Sequence, residues 1–224
     1  MQRCGGERGA MAGRIITIAQ QKGGSGKTTL AAHLAVAFVL AGAGKVALLD
    51  CDPQGSLGEW FEARETSLGE DATGLDFRTA SGWGARREAR SLARDYDLVV
   101  IDTPPKSDIE SRPAIEAASL VAVPVQPTPI DLWATAPTLE MIAKEGTASL
   151  IVINRAISRV GLTEEMSAAI RALGHPAAQT RLGSRVGFAA SMGAGRTIQE
   201  TDPGSKGALE MAALAAEIRQ ALGG

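Results

Sequence analysis

Short apolar runs alternate with longer alanine-rich segments along most of this chain. The apolar runs occupy residues 15–19, 46–49, 98–101, 120–125 and 150–153, with a weaker run at 75–77. Most of them are apolar without alternation, which is typical of strands that helices cover on both faces of a parallel sheet. Their length of about five residues and the flanking glycines and prolines favour strand over buried helix.

The segments between these runs predict helices at residues 27–41, 85–94, 132–144, 163–173 and 208–222. Asp131 and Thr163 are the predicted N-caps of the third and fourth helices, because a short polar side chain can accept a free N–H of the first turn. Residues 62–84 combine glycines with charges, which predicts loops around a short strand. The fold class is therefore α/β, a three-layer, mostly parallel twisted sheet with helices on both faces.

Length, charge and cysteine content limit the classes of protein to which this chain can belong. The chain has 224 residues, of which 45% are apolar, and this is enough for one sizeable core. A formal net charge of −2 argues against a surface that coats nucleic acid all round, but leaves a local basic patch open. Two cysteines, Cys4 and Cys51, favour a reducing cytoplasm over a disulfide framework.

The first residues carry no fold information that we can interpret. We expect residues 1–13 to be a disordered leader and residues 14–224 to form one domain. The leader lacks the apolar stretch of a signal peptide, and no run reaches the roughly 20 apolar residues that span a bilayer. We therefore expect a soluble protein.

The strongest chemical signal is a glycine-rich loop between the first strand and the first helix. It comprises Lys22, Gly23, Gly24, Ser25, Gly26, Lys27, Thr28 and Thr29. Glycines let backbone N–H groups converge on one point, and the helix start adds the positive end of its dipole. This is the context of a phosphate-binding loop. Lys27 should reach the β- and γ-phosphates of ATP, Thr28 should bind Mg²⁺, and Thr29 is placed to reach the α-phosphate.

A second lysine, immediately before the first glycine pair, makes this sequence pattern more specific than that of a general phosphate loop. The run from Lys22 to Thr29 resembles the deviant Walker A motif of the ParA/MinD family of P-loop ATPases. The closest resemblance is to small ParA-like partitioning and positioning proteins without an N-terminal DNA-binding domain. It implies that Lys22 crosses a dimer interface to contact the partner's nucleotide. The alternative is that Lys22 is an ordinary solvated loop residue.

Carboxylates follow two further strands, at the edge where open α/β sheets bind ligands. The segment from Asp50 to Gly55 is similar to the family's Asp-x-Asp-Pro-Gln switch, which implies that Asp52 orients the hydrolytic water and that Asp50 supports the metal shell. Asp102 ends an apolar strand as a Walker B aspartate does and should hold a Mg²⁺-bound water. A solvated Asp-Pro turn and a chance strand-end aspartate are the alternatives.

Two later segments bear on the nucleotide base and on an interface. The resemblance implies that Asn154 hydrogen-bonds adenine, with Arg155 beside it, although a strand-end turn explains Asn154 equally simply. The proline-rich segment 124–133 is similar to one in small ParA-like proteins. Its Trp133 fits either an interface or the core.

The resemblance also implies partners. ParA-like proteins form an ATP-dependent homodimer, bind DNA non-specifically, and respond to a ParB-like adaptor or a cargo protein, so we expect slow basal ATP hydrolysis in a cytoplasmic protein that is nucleoid-associated in the ATP state. The candidate DNA contacts are Arg171, Arg181, Arg185, Arg196, Lys206 and Arg219. The alternative for each of these residues is that it simply lies on a solvent-exposed face of the protein.

Three other functions would each need further features in the sequence. A MinD-like membrane regulator needs a basic amphipathic tail, whereas residues 208–224 contain a single arginine, Arg219. We therefore expect no stable membrane association. A metal-cluster carrier would show a Cys-x-x-Cys pair, which the sequence lacks. A P-loop kinase or ligase acting on a small molecule stays open, because its acceptor pocket would lie in loops.

Overall fold

The computed structural model describes residues 13–105, 108–157 and 160–223. Its centre is a six-stranded sheet in the order β3-β2-β4-β1-β5-β6, with every neighbouring pair parallel. The strands are β1 Arg14–Ile18, β2 Val46–Asp50, β3 Asp76–Thr79, β4 Leu98–Asp102, β5 Leu120–Val125 and β6 Ser149–Ile153. All six apolar runs are therefore strands, within one or two residues of their predicted ends.

Ten α-helices are defined in the described part of the chain and connect these strands. They are α1 Lys27–Leu40, α2 Ser56–Leu68, α3 Gly84–Asp95, α4 Asp108–Ala117, α5 Pro129–Trp133, α6 Ala136–Glu145, α7 Val160–Ala172, α8 Val186–Gly193, α9 Ile198–Thr201 and α10 Lys206–Ala221. Helices α1, α2 and α10 bury their apolar side chains on one face of the sheet, while α3, α4 and α6 cover the other. The predicted fold class is confirmed.

The predicted helix at residues 132–144 is wrong in its start and its continuity. The structure has two helices there, α5 and α6, and the N-cap of α5 is Thr128, whose hydroxyl accepts the Asp131 N–H at 3.2 Å. Pro129 starts α5 because its fixed φ suits the first helical position and its missing N–H needs no partner there. Asp131 therefore lies inside the first turn of α5 and is not a cap.

Other helix starts also differ from the predictions. Helix α7 begins at Val160, so Thr163 lies within it and does not begin it. Helix α10 begins two residues before the predicted start and is capped by Ser205, which accepts the Ala208 N–H at 3.2 Å. Polar residues that precede apolar ones are frequent in this chain, so composition alone did not select the true cap.

Four α-helices were missed besides α5. Helix α2 extends into the stretch predicted as loop, and only Leu57, Trp60, Phe61 and Arg64 on it are buried. Helices α4, α8 and α9 have ten residues or fewer, and α4 contains Pro113. Short helices gain most of their stability from packing against the rest of the protein, so their own sequence signals them weakly.

The parallel sheet brings the carboxyl ends of its strands to one edge. The phosphate loop follows β1, while Asp50 and Asp102 end β2 and β4 and are paired in register. Asn154 directly follows β6. In the part of the chain that the structure covers, no helix combines the length and hydrophobicity that crossing a membrane requires.

Candidate functional site

The loop between β1 and α1 has a backbone that only glycine accommodates well. Gly24 has a φ of 76° and Gly26 a φ of 91°, both in the left-handed region. A Cβ on Gly26 would also lie 2.6 Å from Nδ2 of Asn154. The loop is therefore constrained twice at Gly26, by its own conformation and by its neighbour.

Side chains from two neighbouring strand ends hold this loop in place. Asn154 donates from Nδ2 to the Ser25 carbonyl at 2.9 Å, and Gln126 donates from Nε2 to the Gly24 carbonyl at 3.0 Å. These amides fix the loop carbonyls on the side of β5 and β6. In a glycine-rich loop of this kind, backbone N–H groups can converge on a bound anion.

Below the loop, the buried Gln20 joins the end of β1 to the α5–α6 region. Its Nε2 donates to Thr135 Oγ1 at 3.0 Å, and its Oε1 accepts from Thr138 Oγ1 at 3.0 Å. The loop N–H of Gln21 also donates to Thr138 Oγ1, at 3.2 Å. Sequence analysis missed Gln20, Thr135 and Thr138; the only signal was a polar residue directly after a buried strand.

Lys27, Thr28 and Asp102 form the buried centre of the site. Thr28 donates its hydroxyl to Oδ2 of Asp102 at 2.6 Å. Burial raises the pKa of Asp102 to about 7, against the opposing effects of the Thr28 hydrogen bond and the Lys27 charge. Burial also lowers the pKa of Lys27, although the charges of Asp102 and Asp52 oppose this. Burial therefore disfavours the charged form of both Lys27 and Asp102.

Two buried oxygens at this centre have no hydrogen-bond partner among the described residues: Ser25 Oγ and Asp102 Oδ1. Buried polar atoms are nearly always satisfied, so an orphaned pair beside a lysine points to a ligand. Hydroxyl and carboxylate oxygens suit a hard cation with its bound waters, while Lys27 suits a phosphate. The residues present therefore fit Mg²⁺ and a polyphosphate.

The two carboxylates at the end of β2, Asp50 and Asp52, differ in burial. Asp50 is buried and accepts the Asp52 N–H on Oδ1 at 2.9 Å and the Gly58 N–H on Oδ2 at 3.2 Å, so one oxygen fixes the turn after β2 and the other the start of α2. Burial raises its pKa, and these two hydrogen bonds oppose the rise. Asp52 is half-buried and lines, together with Lys27 and Thr28, the cleft that we call the phosphate cleft. Its Oδ1 accepts the Gln54 N–H at 3.0 Å.

The second lysine of the loop has a partner within this chain. Lys22 Nζ lies 2.7 Å from Oδ1 of Asp131, and the Lys22 side chain is 32% exposed. Asp131 is itself buried in α5 and also forms a short hydrogen bond with Thr128. In this conformation the lysine is held by a residue of its own chain.

Comparison with known proteins agrees with this geometry. Residues 16–222 match the family described as the CobQ/CobB/MinD/ParA nucleotide binding domain. The chain belongs to this family. It is similar to the Maintenance of carboxysome distribution protein A of Halothiobacillus neapolitanus, at 31% identity over 76% of this chain and 79% of that protein. It is 34% identical to the Chromosome-partitioning ATPase Soj of Thermus thermophilus, over 92% of this chain and 95% of that one.

Solved structures support the fold of this ParA/MinD-type chain. The cell division ATPase MinD of Pyrococcus furiosus superposes with a TM-score of 0.77 at 23% identity, covering 93% of this chain and 99% of that one. Cyanothece McdA, without ligand, superposes with a TM-score of 0.73 at 18% identity, over 91% and 98% of the two chains. At these identities the likeness establishes a shared α/β fold.

Beside the phosphate loop of this ParA/MinD-type chain lies a separate slot of mostly apolar character. Asn154 and Arg155, the residues predicted to lie near the base, both line it. Sequence analysis did not find the opposite wall, which includes Leu182, Gly183 and Phe188. That wall comes from the segment after α7 and from α8, neither of which carries a recognisable motif.

Arg155 is placed between the two cavities and is strained. It lines both the slot and the phosphate cleft, and its φ of 54° is the only positive value at a non-glycine residue in the described part of the chain. Such a conformation costs on the order of 1 kcal/mol and is found most often at functional sites.

The six predicted DNA contacts are not equivalent. Arg181 pairs with Glu164, Arg185 pairs with Glu210 while lining the slot, and Arg196 lies 3.8 Å from Glu200. Arg171, Lys206 and Arg219 are exposed on α7 and α10. The structure therefore does not gather the six into one patch of free charge.

Proposed function

We propose that this chain is a ParA-like ATPase that dimerises on binding Mg-ATP, binds DNA without sequence preference, and positions or segregates a cargo through partner-stimulated hydrolysis. The observation that carries the proposal is a phosphate loop with two lysines in different environments. Lys27 is buried beside Asp102, whereas the side chain of Lys22 is 32% exposed and pairs with Asp131. The names of the relatives, which refer to carboxysome distribution and chromosome partitioning, support a positioning role.

The proposed chemistry assigns one task to each side chain. Lys27 and the loop amides hold the triphosphate, while Thr28 and Asp102 hold Mg²⁺ and its waters. When bound, Mg²⁺ would stabilise the negative charge that develops on the phosphates. Asp52 faces the cleft and orients the attacking water. Asp50 acts by fixing the start of α2 and thereby the position of Asp52.

Exposed apolar side chains support the proposed dimer. Four large ones lie on α5, after β6 and at the start of α8: Ile130 is 65% exposed, Trp133 72%, Ile157 61% and Val186 85%. These segments follow strands or border the nucleotide cavities. The core interpretation of Trp133 is wrong, since it is mostly exposed. A second copy over this side would cover these groups and bring a partner lysine to the nucleotide.

Turnover tests the proposal. Phosphate release from Mg-ATP should be slow for the isolated chain and should rise when duplex DNA and a partner protein are added. Lys27→Ala is the control for contaminating ATPase, because it removes the buried phosphate ligand. A rate that DNA and partners leave unchanged, but that follows a metabolite, would contradict the positioning role.

Dimerisation has its own test. Asp52→Ala should bind ATP without hydrolysing it and accumulate as a dimer in sedimentation velocity with Mg-ATP. Asp71→Ala removes a carboxylate from the distant turn after α2 and serves as the matched control. If Asp52→Ala stays monomeric at saturating ATP, nucleotide-driven dimerisation is ruled out.

A second candidate function is ATP-dependent ligation or phosphorylation of a small molecule. The family description includes CobQ and CobB, and Mycobacterium smegmatis cobyrinic acid a,c-diamide synthase shares the fold with a TM-score of 0.72 at 20% identity. The turnover assay distinguishes the two functions, because a hydrolysis rate that follows a metabolite, and not DNA or a partner protein, favours the small-molecule enzyme.

A further inference from the structure

Helix α3 carries a row of exposed arginines that neither the sequence motifs nor the nucleotide site uses. Trp83, Arg87, Arg90 and Arg94 follow one another at intervals of four, three and four residues. Residues at these intervals lie on one face of a helix, and at 1.5 Å per residue the row is about 16 Å long. All four are exposed, Trp83 by 83%.

The opposite face of α3 is buried in the core. Ala85, Ala89 and Leu92 are buried against the sheet face that β2 and β4 share. The helix therefore cannot turn its apolar side toward a lipid bilayer, and its exposed side presents the arginine row to a partner. An amphipathic membrane helix works in the opposite way, with its apolar side inserted.

The charge of this row is not neutralised within the protein. Across residues 13–105, 108–157 and 160–223, Arg87, Arg90 and Arg94 form no salt bridge, whereas Arg86 on the neighbouring face of the helix pairs with Glu116. Within α3, none of the three has an acidic residue three or four positions away, although Asp97, just after the helix, is three positions from Arg94; Arg90 has another arginine at both distances. Like charges at these spacings destabilise a helix by roughly 0.2–0.5 kcal/mol per pair.

We propose that this arginine row, with Trp83 at its end, is a contact surface for the phosphate backbone of DNA. A straight row of unpaired guanidinium groups complements a linear array of phosphates, and arginine binds phosphate in a bidentate manner. A flat, exposed indole adds a group that can pack on sugars or on an unstacked base. The surface lies on α3, apart from the candidate contacts in the last third of the chain.

This inference rests on the DNA binding proposed above and gives it a location. The test compares two triple variants that each remove three positive charges: Arg87→Gln/Arg90→Gln/Arg94→Gln, and the control Arg171→Gln/Lys206→Gln/Arg219→Gln. Binding of the full chain to a fluorescein-labelled random duplex is followed by anisotropy with Mg-ATP over a range of salt concentrations.

The α3 variant should bind DNA at least about tenfold more weakly than wild type. The slope of log K against log salt should become shallower by about 2.7 per protomer, because each of the three lost phosphate contacts accounts for roughly 0.9. The control variant should stay close to wild type. An ATP affinity equal to that of wild type and a thermal stability no lower than that of wild type would establish that the α3 variant folds. DNA-induced quenching of tryptophan emission should also shrink in Trp83→Phe, and an unchanged quench would overturn the role of Trp83.

The failures are distinguishable. If wild type binds DNA and the α3 variant binds it equally well, the location is wrong while the proposed function stands. If wild type binds no DNA with any nucleotide, both are wrong. Binding of wild type to phosphatidylglycerol vesicles, lost in the α3 variant, with no binding to DNA, would assign the row to a membrane surface and overturn the inference.

Discussion

The buried histidine of α1 gives the sharpest quantitative prediction. His33 has no exposed surface, donates from Nδ1 to the Thr29 carbonyl at 2.8 Å, and accepts the Ile198 N–H on Nε2 at 3.1 Å. Its ring also meets Phe188 edge-on at 5.0 Å. His33 thus joins the helix that follows the phosphate loop to α8 and α9, and α8 forms a wall of the base slot.

These contacts require the neutral ring. Burial lowers the pKa of His33 from 6.5 to about 4, although the Thr29 hydrogen bond and the charge of Glu200 oppose the change. A proton on Nε2 would also face the Ile198 N–H, donor against donor. Because the unfolded chain binds this proton more tightly, it holds more protons between pH 4 and 6.5, and the stability of the folded state falls as the pH drops through that range.

The size of the effect follows from the two pKa values. Relative to neutral pH, protonation of the unfolded state at His33 lowers the free energy of unfolding by about 2 kcal/mol at pH 5, and by about 3 kcal/mol well below pH 4. Asp102 titrates with the opposite sign, since its folded pKa is raised to about 7. The prediction therefore concerns the difference between wild type and a His33 variant, in which the contribution of Asp102 cancels.

The perturbation is His33→Gln, which keeps an amide oxygen near the Ile198 N–H but does not titrate. Urea unfolding at pH 5, 6, 7 and 8 should give, for wild type, a loss of stability between pH 7 and 5 that exceeds that of the variant by about 2 kcal/mol. His175→Gln is the matched control, because His175 is the other histidine of the chain and is partly exposed. Parallel pH profiles for wild type and His33→Gln would refute the reasoning.

Three further predictions concern the phosphate loop and its neighbours. Gly26→Ala should lower stability by about 1–3 kcal/mol and abolish binding of a fluorescent ATP analogue, because φ is positive at Gly26 and Asn154 lies 2.6 Å from the new Cβ. The control is Gly23→Ala, which should do neither because the space around Gly23 is open. Asp131→Asn should destabilise the monomer by about 1 kcal/mol and increase the ATP-dependent dimer in sedimentation, since Lys22 is no longer held within its own subunit; a smaller dimer fraction would contradict this. Arg155→Gly should raise the melting temperature by relieving its positive φ, yet weaken ATP binding about tenfold in titration calorimetry; tighter binding would show that Arg155 does not contact the nucleotide.

The local parts of the site were readable from the sequence. A glycine loop after a buried strand and an aspartate at the end of another strand each carry their chemistry within a few residues, and parallel strands bring their carboxyl ends to one edge. Lys27, Thr28 and Asp102 accordingly lie together as predicted.

What the sequence alone determined was therefore the strand pattern, the α/β class and the phosphate loop, because these depend on local spacing and burial. Tertiary structure decided which distant side chains meet: Asp131 with Lys22, Gln20 with Thr138, and Phe188 with His33. These contacts join residues that are about 100 or more positions apart, and no local pattern encodes them. The arginine row of α3 is intermediate, since its spacing is written in the sequence, but only packing shows that its other face is buried and its charges are left for a partner.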